Sequence, residues 1–115
     1  MGLIYHIAFP ADWERARQEG AYLVSTRGRS LAEEGFIHAS TQGQVVSVAG
    51  AFYRDAGDLL LLEIDEDLVG PEIKYEAVPG RPDAFPHIYG PLNADAVVRV
   101  VPFVPGPDGS FPPPG

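Results

Sequence analysis

The 115-residue sequence contains no cysteine, which removes disulfides, thiolate zinc sites and cysteine nucleophiles from consideration. That absence fits a reducing compartment, and a cytoplasmic location is expected. No segment approaches the ~20 apolar residues of a membrane-spanning helix. The start, Met1-Gly2-Leu3-Ile4-Tyr5-His6, lacks the basic region and long apolar run of a secretory signal. Positive charge is scarce: eight Lys and Arg face sixteen Asp and Glu, for a formal charge of −8. Sequence-independent nucleic-acid binding depends on cations that neutralise phosphates, so no nucleic-acid partner is expected. Arg27 and Arg29 form a local basic cluster in a loop. It reads as a solvated loop, with a small pocket for a single phosphate as the alternative.

The sequence also lacks Gly-x-Gly-x-x-Gly, the P-loop, Gly-x-Ser-x-Gly and His-Glu-x-x-His. The three histidines include no short-spaced pair, and Asp65-Glu66-Asp67 lacks EF-hand spacing, so no metal is expected.

What is present fits one folded domain. Apolar residues make up 45% and charged residues 21%, which is globular rather than disordered. Alternation over Leu3–Phe9 predicts a strand that Pro10 ends. Asp12 is placed to cap a helix over Trp13–Glu19, with Gly20 to terminate it. Ala21–Ser25 is a short strand candidate. Ser30-Leu31-Ala32-Glu33 has the capping-box pattern, closed by Gly35, and Phe36–Ala39 reads as a buried strand. Thr41 with Gln44 suggests a second box, opening a helix whose Val45, Val48, Ala49 and Phe52 share one stripe. Leu59–Ile64 is nearly all apolar, as a central strand covered on both faces should be. Ile73–Val78 and Val97–Val104 are further strands, Pro79–Pro86 a loop, and His87–Tyr89 a short extended piece. Residues 1–105 are expected to form a single α+β domain with a small mixed or antiparallel sheet. Residues 106–115, rich in Pro and Gly, are expected to form a flexible tail, disordered or extended.

The candidate chemistry lies at strand ends. His6, His38 and His87 sit in extended segments among apolar neighbours. Imidazole suits proton transfer near neutral pH and can orient a sugar hydroxyl; each is otherwise a satisfied structural histidine. His38 shares a strand face with Phe36 and Ser40, just before the helix opened by Thr41. A strand end meeting a helix N-terminus favours an anion. Phe85-Pro86-His87-Ile88-Tyr89-Gly90-Pro91 is stiff enough to fix an imidazole and an aromatic face, unless it is an ordinary turn into an edge strand. Glu76 shares a face with Lys74; it is a surface ion-pair partner or, on a pocket wall, a base or ribose ligand.

Ile4-Tyr5-His6-Ile7-Ala8, Trp13, Gly35-Phe36-Ile37-His38-Ala39-Ser40, Leu61-Leu62-Glu63-Ile64-Asp65, Lys74-Tyr75-Glu76 and Phe85-Pro86-His87-Ile88-Tyr89-Gly90-Pro91-Leu92 together resemble the family known as domain of unknown function 952. That family looks like a compact relative of the ADP-ribosyltransferase fold, a split β structure that grips NAD or ADP-ribose between two small sheets. The resemblance implies that His6 contacts the nicotinamide ribose and that His38 and Ser40, beside Thr41, hold ribose or phosphate. It further implies that Glu76 is the acid of the third motif and that His87 and Tyr89 close the pocket. ADP-ribosyl transfer or hydrolysis follows as one expectation; a non-catalytic small-ligand module or an interaction domain is the other. The basic residues with which the related RNA 2′-phosphotransferases hold phosphorylated RNA are not evident, so RNA processing is not expected.

Overall fold

The computed structural model describes residues 2–114. Among the described residues, ten short strands, three helices and two single 3-10 turns follow one another. Strand β1 (Leu3–Ala8) leads into helix α1 (Pro10–Glu19), then β2 (Ala21–Tyr22), β3 (Val24–Thr26), β4 (Arg29–Ser30) and helix α2 (Leu31–Glu34). After β5 (Ile37–His38) come helix α3 (Val45–Phe52) and the strands β6 (Leu59–Asp65), β7 (Ile73–Ala77), β8 (Ala84–Ile88), β9 (Leu92–Asn93) and β10 (Val97–Phe103). The architecture is α+β, and every strand pair is antiparallel.

Two three-stranded sheets dominate, ordered β1-β6-β10 and β5-β8-β7. β6 is central because its Leu-rich run can be covered on both sides. Leu62 and Ile64 join Ile4, Ala8, Ile37 and Ile88 in one core, whereas Leu59 and Leu61 join Tyr5, Ile7, Phe103 and the α3 residues Val45 and Ala49 in another.

The sheets meet where one stretch of chain changes partner. Ala39 N–H donates to the Pro86 carbonyl at 3.0 Å, but proline has no N–H with which to reciprocate. The β5–β8 ladder therefore ends at His38 paired with His87. The released chain crosses to β1, where Ser40 and Tyr5 exchange backbone hydrogen bonds of 2.7 and 2.8 Å.

Local signals set most element ends. Ser30 and Glu33 form the reciprocal capping box. Gly20 and Gly35 close their helices at φ 87° and 86°, a left-handed conformation that costs glycine little. Several boundaries differ from the sequence reading. Helix α1 starts at Pro10, with Phe9 rather than Asp12 as N-cap, because proline suits the first helical turn, where its missing N–H is not needed. The N-cap of α3 is Gln44, not Thr41; Thr41 carries only a tight turn, with its N–H donating to Gln44 Oε1 at 3.0 Å. Phe52 ends that helix 60% exposed rather than in its buried stripe. The Pro79–Pro86 loop is shorter than expected, since Ala84–Pro86 already pair with β7.

The C-terminal segment is not a free tail. It makes a tight turn closed by the Gly106 N–H donating to the Ser110 carbonyl at 2.7 Å, Phe111 is then buried against Phe103 with ring centroids 4.8 Å apart, and Gln42 donates to the Pro114 carbonyl.

Candidate functional site

The crossing segment Ala39-Ser40 floors a cleft of about 630 Å³. Its walls come from β1 (Tyr5, His6), the β3–β4 hairpin (Thr26, Arg27, Arg29), α2 (Glu34), the end of α3 (Phe52, Tyr53) and the β7–β8 loop with Phe85. The volume suits a small organic molecule, for which pockets of ~300–1,000 Å³ are usual.

His6 belongs to the framework of this cleft. It is 2% exposed, and both ring nitrogens are occupied. Nδ1–H donates to the His38 carbonyl at 2.6 Å, which leaves Nε2 to accept from the Tyr22 hydroxyl at 2.9 Å. A carbonyl can only accept, so this pair of contacts fixes the tautomer. Burial lowers the pKa of His6 to about 4, and the ring is neutral at physiological pH.

His38 presents its ring to the cleft. Its side chain is 37% exposed, with Nε2 lying 3.6 Å from Glu34 Oε1. Burial and, secondarily, the neighbouring His87 lower its pKa, against the opposing pull of Glu34. Ser40 is buried beside it on the cleft floor. Thr41 is not among the lining residues.

His87, Glu76 and Tyr89 stand further along the same face of the β5-β8-β7 sheet. Register brings Lys74 opposite His87 and Glu76 opposite Phe85. The His87 ring stacks on Phe36 at 4.2 Å and meets His38 edge-on at 5.2 Å. One carboxylate oxygen, Glu76 Oε1, accepts from both His87 Nδ1, at 2.9 Å, and the Tyr89 hydroxyl, at 2.5 Å. These bonds, Tyr89 first, hold the Glu76 carboxyl below the usual carboxylate range, and the same contact raises the Tyr89 phenol. His87 Nε2 is buried without a hydrogen-bond partner among the described residues. Lys74 caps the Tyr89 ring at 4.8 Å.

The three histidines are therefore linked in series. His6 touches the His38 backbone, and His38 touches the His87 ring. Of these, His6 and His38 line the cleft and His87 does not. Glu76 also lies outside the lining residues; the one cleft carboxylate is Glu34, which the sequence reading did not single out. Arg81, Tyr53 and Phe52 were also missed, because nothing local in the sequence marks residues that only tertiary folding brings together. Arg27 and Arg29, read as a solvated loop, are cleft residues. Among the described residues, no cluster of three His, Cys, Asp or Glu side chains could hold a metal ion.

Comparison with known proteins places the chain. The model of the family described as "Protein of unknown function (DUF952)" matches residues 7–100. The chain belongs to this family. It is also similar to protein CC0527 from Caulobacter crescentus, in a crystal structure at 32% identity that covers 96% of this chain and 93% of that one, with a TM-score of 0.83. A solution NMR structure of CC0527 matches at 33% identity, with coverages of 96% and 91% and a TM-score of 0.78. Among curated proteins, nothing matches. No helix among the described residues is long and apolar enough to cross a membrane.

Proposed function

We propose that this DUF952 protein binds a nucleotide-like small molecule of the NAD or ADP-ribose type in the cleft between its two main sheets. One observation carries the reading. In a chain of net charge −8, the cleft lining holds three arginines; Asp55 pairs with Arg27 and Glu34 faces Arg29, which leaves Arg81 as a net cation in the lining, grouped with His38, Ser40 and aromatic walls. Local positive charge in an acidic protein selects an anionic ligand, and aromatic faces such as Tyr53 and Phe85 suit a base or ribose. Ser40 and His38 supply the hydroxyl and imidazole for ribose oxygens. The split arrangement of two small sheets around the cleft supports kinship with the ADP-ribosyltransferase fold; fold kinship does not itself confer activity.

A specific observation favours a catalytic version of the same site. His38 presents a ring of lowered pKa to the cleft, so it stands ready to take a proton. In hydrolysis of NAD, water would attack the ribose anomeric carbon as nicotinamide leaves, and His38 would accept the proton of the water. His6 would fix the backbone of His38. Glu76 would act through His87 rather than at the ribose.

Calorimetric titration with NAD and ADP-ribose tests the proposal. Binding in the micromolar to low millimolar range is the expected result; no heat with either ligand would overturn it. Incubation with labelled NAD then separates the versions. Released nicotinamide that disappears in His38→Ala marks the enzyme, and binding without release marks a sensor or carrier module.

A further inference from the structure

The three arginines of the cleft are not equivalent. Arg27 is neutralised by Asp55 at 2.7 Å and also donates to the Phe52 carbonyl at 2.9 Å. Arg29 faces Glu34 at 3.6 Å, a carboxylate it shares with His38. Arg81, on the β7–β8 loop, has no carboxylate partner among the described residues. Its side chain makes one hydrogen bond, Nη1 to Ser47 Oγ at 2.7 Å. A guanidinium carries five N–H donors in a planar fork, so most of the fork is uncommitted.

The surroundings of Arg81 strengthen the point. The guanidinium lies 5.9 Å from the centres of both the Phe52 and Phe85 rings. Those apolar walls hold it half-buried and lower the local dielectric, which makes its attraction for an anion stronger than that of a fully solvated cation. Phe52 is 60% exposed at the end of α3, a position where a large ring gains little from the core yet flanks the cation. Arg81 and Phe85 also form a shared wall between the main cleft and a smaller hollow of about 200 Å³ lined by Gly43, Gln44, Ser47, Pro82 and Asp83; the Asp83 carboxylate on that side directs an anion to the cleft side of the guanidinium.

We infer that Arg81 is the anion-binding residue of the cleft and that it receives a phosphate or diphosphate of the ligand on the cleft side of the junction of the two hollows, between the Phe52 and Phe85 rings. The bond to Ser47 holds one edge of the fork in place and leaves the other N–H groups for bidentate contact with phosphate oxygens. The ligand is then elongated, with its charge at Arg81 and its polar, uncharged part toward His38 and Ser40. The inference rests on the nucleotide reading for the rest of the ligand, but the oxyanion site itself is testable without a nucleotide.

The test follows the Arg81 Nε–H resonance and the backbone amides of Ser47 and Phe85 by NMR, while the folded full-length chain is titrated with inorganic pyrophosphate. Saturable shifts at these positions are expected, together with an affinity at least tenfold weaker in Arg81→Gln and intermediate in Arg81→Lys, which keeps the charge but loses the fork. Circular dichroism of each variant establishes that the loop change leaves the fold intact. Shifts confined to Arg27 and Arg29, or equal affinity in Arg81→Gln, would overturn the assignment. So would a response to succinate but not to pyrophosphate. Parallel titrations with ADP-ribose and adenosine separate the two proposals. If pyrophosphate binds at Arg81 and neither nucleotide probe binds, the nucleotide reading fails and the oxyanion site stands. If ADP-ribose binds equally to wild type and Arg81→Gln, the reverse holds.

Discussion

His6 shows how one side chain can tie the site to the fold. Its ring is sealed between the His38 carbonyl and the Tyr22 hydroxyl, and the bond that Nε2 accepts from Tyr22 requires neutral imidazole. The folded pKa of about 4 lies below the ordinary 6.5, so the unfolded chain takes up a proton at higher pH than the folded one. The stabilisation from neutral His6 is complete above pH 6.5 and is lost as pH falls toward 4. Linkage puts the loss between pH 7 and 5 at about 2 kcal/mol. Urea unfolding at the two pH values measures it, and His6→Gln should flatten the dependence. Removing the other partner should also be felt. Tyr22→Phe leaves Nε2 buried and unpaired, at an expected cost of about 1–3 kcal/mol. On the open part of the β5-β8-β7 sheet, Glu76→Gln removes the carboxylate that holds up the Tyr89 phenol. Ultraviolet titration should then find a tyrosine ionising at lower pH than in wild type.

Among the elements, the strands and caps differ in how far sequence reveals them. The capping box of α2 is readable because every group in it is local: Ser30, Glu33 and the intervening backbone. Ser30→Ala should cost about 1 kcal/mol by thermal or denaturant unfolding. β6 is readable because a strand covered on both faces must be apolar throughout. Pro10 was read only as a strand terminator, although its preference for a first helical turn was the available signal for where α1 begins. Pro86 misleads in the opposite direction. It lies in the central strand of its sheet, tolerated because its missing N–H falls where β5 departs, and only the pairing discloses that. The C-terminal segment looked free on composition, but its single aromatic, Phe111, was a clue to packing. Phe111→Ala should destabilise the protein by about 3 kcal/mol, whereas a free tail would tolerate the change without loss.

At the scale of the whole molecule, the cleft is a product of topology. It forms where the chain leaves one sheet at Ala39 and joins the other at Ser40, and its walls come from segments far apart in sequence. Composition registered the charge of the molecule but not its distribution, which is why a −8 chain carries an arginine-lined hollow. The strings around His38 and His87 marked the right sheet; which of their side chains reach the cleft depended on register. The most direct test of the account is a crystal structure of the protein with ADP-ribose. The account requires the ligand between the two sheets, against His38, Ser40 and Arg81. A ligand seated instead over Phe36, His87 and Tyr89, with the cleft empty, would contradict it.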